Sequence, residues 1–422
     1  QLTVTKILVF SVPAYGHVNP TLPVVRELVD RGVQVAYYLT EEFEPQVRHA
    51  GAEFRRIEDM QMGSGPLPEV TAMAQTHPAM RSQMMDTFFP RMMADGLRGV
   101  PRLVDRVRDE NADCVVYGFL CPWGRALAGI LGLPPVAFMP TYAMTENFPL
   151  VRRLSLILEE QTSSEAEEAR SDFQDVSRQL HERYGLAQLS LMDMFIPGEA
   201  LNVVTLPRAF QPDADALDER YVFVGPSISP RSDVSGFPLE RLAGRPTLYV
   251  SLGTVFNANP EFFSACFDAF ANSKWQVVLS VGKRADPSAL ARIPDNFLVS
   301  PHVPQLEVLE HTDVFVTHGG MNSVMEAIYY GVPMVVVPQQ PEQAMTAARV
   351  AELGLGVALE AGQVNADVLR DVVITVSGDA GYRSRIARMQ HDAREAGGYL
   401  RAADAIQQFC RRGAGTTGMS ND

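Results

Sequence analysis

His17 stands between Gly16 and Asn19-Pro20, just past an apolar run from Lys6 to Val12. Open α/β sheets hold their ligands beyond the C-terminal ends of such strands. An imidazole there, with an ordinary pKa of about 6.5, is a competent general base near neutrality. A second histidine, His318, follows the apolar run Asp313 to Thr317 and opens the turn His318-Gly319-Gly320. The glycines let the backbone bend sharply, and Asn322 and Ser323 read as caps for a helix carrying Glu326. Free N–H groups and the positive dipole end of that helix suit an anion such as a diphosphate, with His318 donating to a phosphate oxygen. Ser251-Leu-Gly-Thr254 closes a third apolar run and brings hydroxyls to the same kind of place. Beyond Gly331 to Val337, Glu342 and Gln343 offer acceptors and donors spaced for sugar hydroxyls. His302, His311 and His318 do not share one helix face at ligand spacing, and no Asp-x-Asp pair stands by the phosphate turn. No metal site is expected; the helix terminus and His318 are left to stabilise a departing diphosphate.

These groups must be positioned by a repeating strand–helix rhythm. Strand-like runs at 6–12, 33–39, 113–117, 135–139, 201–206 and 221–225 alternate with helical stretches such as 21–29 and 43–50. A Pro-, Ser-, Gly- and Arg-rich stretch, 226–246, reads as a linker. The rhythm then restarts with strands at 247–251, 275–281, 298–300 and 313–317, and helices at 260–272, 304–311 and 365–377. Such βαβ repetition predicts parallel sheets covered by helices on both faces. No Gly-x-Gly-x-x-Gly follows the first strand, which argues against a nicotinamide dinucleotide site. Methionines at 60, 62, 73, 80, 84, 85, 92 and 93 interrupt the rhythm, as helix core or as a compliant wall for a bulky apolar ligand. The acidic stretch 156–184 reads as a solvated helical surface, with His181 an exposed bystander.

A chain of 422 residues suffices for two full cores. Its net charge of -14 argues against nucleic acid or an anionic membrane as the main partner. The four cysteines, at 114, 121, 266 and 410, lack metal or framework spacing and read as buried reduced thiols. No apolar run is long enough to cross a membrane and no secretory pattern opens the chain, so a cytoplasmic location is expected.

In order, Gly16-His17-Val-Asn-Pro20, Val250-Ser-Leu-Gly-Thr254, Val303-Pro-Gln305, the stretch 315–343 and Glu395-Ala-Gly-Gly398 resemble the signature of a known family. It is that of the family 1, UDP-glycosyltransferase-like natural-product glycosyltransferases of GT-B fold, and most of all its bacterial macrolide branch. The resemblance implies an α/β, GT-B architecture of two Rossmann-like doubly wound parallel-sheet domains facing a central cleft. An acceptor-binding domain would span 1–225, a linker 226–246 and a nucleotide-sugar domain 247–395, with a last helix in 396–422 crossing back. It implies inverting, metal-independent transfer of a hexose, with UDP-glucose as donor substrate and no cofactor, to a hydroxyl of a bulky apolar natural product. His17 would take the acceptor proton. Ser251, Thr254, His318, Gly320, Asn322 and Ser323 would bind diphosphate; His302, Val303, Gln305 and Glu326 the nucleoside; Glu342 and Gln343 the sugar. Tyr15, Met84, Met85, Phe119 and Tyr142 would contact the acceptor.

Two positions depart from the family pattern. Where the family places an aspartate that orients the histidine, this chain has Gly118. Three explanations stay open: another carboxylate such as Glu146 substitutes, the acceptor is acidic enough to need little help, or the protein binds without efficient turnover. Where the family often stacks a tryptophan on the base, this chain has His302. Two alternatives therefore stay open: a tailoring enzyme using a TDP-deoxysugar, and a weakly catalytic accessory protein.

Overall fold

The computed structural model describes residues 5–57, 87–149, 151–152, 163–229, 236–253, 260–282 and 293–417. The chain forms two compact units: residues 1–206, 213–227 and 396–422, and residues 207–212 with 228–395.

The first unit is built on seven parallel strands: β1 (Lys6–Phe10), β2 (Gln34–Leu39), β3 (Glu53–Arg56), β4 (Cys114–Gly118), β5 (Pro135–Met139), β6 (Asn202–Val204) and β7 (Tyr221–Phe223). Their order is β3-β2-β1-β4-β5-β6-β7. Near-continuous apolar runs are needed because each strand serves two cores. Leu8, Phe10, Val115 and Tyr117 face one core with Trp123 and Phe173. Ile7, Val9, Cys114 and Val116 face the other. That second core also takes Ala402, Ala403, Ile406 and Cys410 of the final helix, Gly398–Thr417, so the end of the chain belongs to the first unit. All four cysteines are buried and free.

The second unit has six parallel strands: β8 (Thr247–Ser251), β9 (Gln276–Ser280), β10 (Phe297–Ser300), β11 (Val314–Thr317), β12 (Met334–Val336) and β13 (Gly356–Ala358). Their order is β10-β9-β8-β11-β12-β13. Phe262, Phe263, Phe267, Phe270 and Trp275 fill one face against Leu248, Val250, Val314 and Val316. In both sheets the chain leaves the central strand in one direction and returns on its other side. The reversals fall between β1 and β4, and between β8 and β11, which are the switch points where such sheets bind ligands.

The two units share a locking device. Asp113 precedes β4 and accepts a hydrogen bond from the Lys6 backbone N–H at 2.8 Å, while its own N–H donates to the Lys6 carbonyl at 2.8 Å. Asp313 precedes β11 and does the same with Thr247, at 2.8 and 2.9 Å. Each aspartate sets the register of the two strands that flank a switch point.

The domain limits differ from the expected ones in two places. Residues 207–212 join the second unit, because the Arg349 guanidinium donates to the carbonyls of Phe210 (2.9 Å), Ala209 (3.2 Å) and Gln211 (3.4 Å). The expected linker 226–246 divides at 227/228, and its Leu239–Leu242 turn belongs to the second unit. Among the described residues, no helix is long and apolar enough to cross a membrane.

Candidate active site

At the first switch point, β1 runs into a short helix, Tyr15–Val18. The Ala14 carbonyl accepts from the His17 and Val18 N–H groups, both at 2.9 Å, and this tight turn lifts His17 above the strand end. The imidazole stacks on Phe119, which follows β4, with centroids 5.7 Å apart and planes 25° off parallel. Its Nδ1 is buried and meets no hydrogen-bond partner among the described residues. Burial lowers the His17 pKa to about 4. The ring is therefore neutral at pH 7 and able to accept a proton, but among the described residues no hydrogen-bond partner at Nδ1 stabilises the imidazolium that would form. Glu146, the carboxylate considered as a substitute partner, is exposed and makes no bond with His17.

The expected acceptor residues fall on neighbouring strand ends. Tyr15 is exposed and meets Phe43 edge-on at 5.1 Å. Phe119 is buried beneath His17, and Tyr142, beyond β5, is buried against Phe148 at 5.6 Å. Met84 and Met85 lie outside the described residues, as does Thr254. Of the other methionines, Met93 is fully buried beside Ala94 and Trp123, and Met92 packs against the same core. These two are ordinary core, not a ligand wall.

At the second switch point, Gly319 takes φ +84 and Gly320 is the N-cap of the helix Met321–Tyr330. The expected caps were Asn322 and Ser323. They sit one turn too far in, because extended Gly320 already ends the turn, and no side chain caps this helix. Glycine is needed at 253 and 320 for a steric reason. A Cβ would lie 2.7 Å from His318 Nε2 at position 253 and 2.4 Å from it at position 320. The ring is thus held edge-on between two bare backbones. His318 Nδ1 has no partner among the described residues, and burial lowers its pKa to about 4. An anion bound there would supply the missing charge partner and raise that pKa.

Of the residues expected to bind the nucleoside, Gln305 and Glu326 form one hydrogen-bonded group. Gln305 Nε2 donates to Glu326 Oε2 at 2.5 Å and approaches Ser323 Oγ at 3.4 Å. Glu326 is buried, at 4% exposure, and a carboxylate there can only accept hydrogen bonds. The Tyr249 hydroxyl donates to Gln305 Oε1 at 3.0 Å. Sequence reasoning missed Tyr249; the available signal was a phenol within a strand buried on both faces, where it must find a partner. Val303 is buried, while His302 is exposed. Ser251 Oγ accepts from the Gly253 N–H at 3.3 Å.

Gln343 is buried and its Oε1 accepts from the Gln339 N–H at 2.9 Å, shaping the loop before the helix Pro341–Glu352. Glu342 keeps an exposed side chain, although the protein crowding beside it raises its carboxyl pKa. The would-be Cβ of Gly319 lies 3.2 Å from the Gln343 carbonyl, which puts Gln343 directly against the His318 turn. Among the described residues, no three His, Cys, Asp or Glu side chains converge as a metal site.

Two doubly wound parallel sheets, each with an imidazole at its switch point, are the architecture of the GT-B sugar transferases. Residues 264–397 match the family model described as the C-terminal domain of erythromycin biosynthesis protein CIII-like proteins. The chain is 39% identical over 408 residues to the NDP-glycosyltransferase YjiC of Bacillus subtilis (strain 168), covering 97% of this chain and 98% of that protein. It is 32% identical over 419 residues to the oleandomycin glycosyltransferase of Streptomyces antibioticus, covering 96% and 91%. Its fold matches the crystal structure of the glycotransferase of kitacinnamycin with a TM-score of 0.81 and 30% identity, covering 96% and 98%. The chain belongs to the family 1 natural-product glycosyltransferases and is an enzyme of that class.

Proposed function

We propose that the enzyme transfers glucose, or a close hexose, from a UDP-sugar to a hydroxyl of a bulky apolar natural product, with inversion and without a metal ion. The observation that carries this reading is the buried Glu326 carboxylate, held by Gln305 beside the His318 turn. A carboxylate only accepts, and the paired hydroxyls of a ribose are donors matched to it. Glu342 and Gln343, the latter against the same turn, favour a hydroxyl-rich sugar, since a deoxygenated one leaves such groups unpaired. Neutral His17 accepts the acceptor's proton as its oxygen attacks the anomeric carbon in line. The diphosphate leaves from the opposite face toward the helix N-terminus and His318, whose N–H donates to it. The aromatic surface of Tyr15 and Phe119 suits an apolar acceptor, in keeping with the relative named for oleandomycin.

The donor base has a second reading, because His302 is exposed where a stacking ring is expected and the Bacillus relative is named only for an NDP-sugar. The test is nucleotide release with UDP-glucose and TDP-glucose against a panel of phenols and macrolide alcohols, with and without EDTA. Turnover with UDP-glucose on a bulky acceptor, unaffected by EDTA, is expected. Preference for TDP-glucose, or loss of activity with EDTA, would overturn the donor or the metal-free part respectively.

A further inference from the structure

The Tyr249 hydroxyl takes no part in the reaction just described, yet its surroundings give it a direction. Tyr249 lies in the middle of β8 at 1% exposure. Its ring is stacked flat on Phe315 of neighbouring β11, with centroids 4.7 Å apart and planes 3° off parallel. That stack fixes where the hydroxyl points. A carboxylate only accepts, so the Gln305 amide nitrogen must face Glu326, and its amide oxygen must then face the phenol. The phenol is therefore the donor, at 3.0 Å, and it forbids the flipped amide. On its other side lies the Ser251 hydroxyl, whose Oγ also accepts from the Gly253 N–H. The donors run one way, from Gly253 through Ser251, Tyr249 and Gln305 to Glu326.

We propose that Tyr249 is a positioning residue that locks the Gln305 amide, aims the Glu326 carboxylate, and thereby sets the enzyme's preference for ribose over 2′-deoxyribose nucleotides. The proposal rests on Glu326 as the carboxylate that grips the ribose. Without the phenol, the amide can turn its oxygen toward Glu326, and the carboxylate loses the Gln305 N–H that aims it. The phosphate loop and the nucleoside carboxylate are then coupled through one buried side chain.

The experiment is calorimetric titration of the full chain with UDP and with 2′-deoxy-UDP, in the native protein, Tyr249→Phe and Glu326→Gln. The native protein should prefer UDP by about tenfold or more, the usual worth of a hydroxyl bonded to a charged group. Tyr249→Phe keeps the ring stack, and should cut that preference about fivefold while changing 2′-deoxy-UDP affinity less than about twofold. The KM for the sugar nucleotide should rise correspondingly, with kcat little changed. Equal weakening of both nucleotides would reveal a merely structural phenol and overturn the proposal. So would an unchanged preference in Tyr249→Phe while Glu326→Gln abolishes it. If Glu326→Gln itself leaves the preference intact, the ribose reading fails first and takes the proposal with it. Should Tyr249→Phe not fold, Gln305→Met breaks the relay one link on, and a retained preference there is equally fatal.

Discussion

Gly118→Asp should speed transfer to aliphatic alcohols. Gly118 closes β4 next to Phe119, the ring on which His17 stacks. A Cβ at 118 meets nothing nearer than Ser11 Oγ at 3.6 Å, Ser11 Cα at 3.8 Å and the Phe10 carbonyl at 3.9 Å. These are ordinary contacts, and Gly118 is not among the residues with positive φ, so a side chain enters without strain. The His17 pKa of about 4, against an ordinary 6.5, means its imidazolium costs about 3 kcal/mol more here than in water. His17 keeps some solvent access, which brings the effective cost nearer about 2 kcal/mol. A carboxylate facing Nδ1 should return about 1–2 kcal/mol of that, or about five- to thirtyfold in the proton-accepting step. A phenol, with a pKa of about 10, demands far less of the base, and its gain should stay under about threefold. Initial rates of UDP release, measured from pH 5 to 9 with an alcohol and a phenol of similar size, decide the matter. Raising the His17 pKa also moves the acidic limb of kcat/KM upward, because the base is now protonated at higher pH. Equal gains on both acceptors, or no gain with an unmoved limb, would refute the reasoning and show that another group already does the aspartate's work.

Gly320→Ala drives a methyl to 2.4 Å from His318 Nε2, so the ring must leave its place. UDP affinity by titration should fall about tenfold or more, as expected when a charge-assisted hydrogen bond is lost. Native affinity would mean His318 does not meet the diphosphate. Stability should fall on mild acidification, and the sign follows from His17 and His318 both having pKa values lowered to about 4. Between about pH 6.5 and 4 the unfolded chain binds protons that the folded chain refuses, so stability drops as pH falls through that window. From pH 7 to 5 each ring should contribute about 2 kcal/mol of loss, read from denaturant midpoints. Glu110, held at about 2 by Arg55 and Lys6, acts only below that interval. His318→Asn should remove about half the histidine slope, and an unchanged slope would contradict burial of the neutral ring.

The residues whose places were legible in the sequence are those whose position is set locally. His17, the 318–320 turn and Glu326 each follow an apolar strand and a glycine turn, and the strand ends carry them to the switch points. The helix start slipped because Gly320 can cap with backbone alone, which no side-chain pattern reveals. Tyr249 was invisible for another reason: Gln305 lies 56 positions away, and they meet only because β8 and the helix Gln305–Leu309 converge in the folded unit. The same holds for residues 207–212, whose allegiance is decided by Arg349, some 140 positions on.

On the proposed function, one architecture yields two chemistries. Asp113 and Asp313 lock equivalent strand pairs, yet the imidazole follows the central strand β1 in the first unit and its neighbour β11 in the second. Burial makes both rings neutral, and a neutral imidazole carries one lone pair and one N–H. Beside the Phe119 surface the lone pair is the useful half, because an acceptor hydroxyl offers a proton. Between Gly253 and Gly320, beside a helix N-terminus, the N–H is the useful half, because a diphosphate offers only acceptors. The role of each histidine thus follows from what its switch point can bind, and not from any difference between the rings themselves.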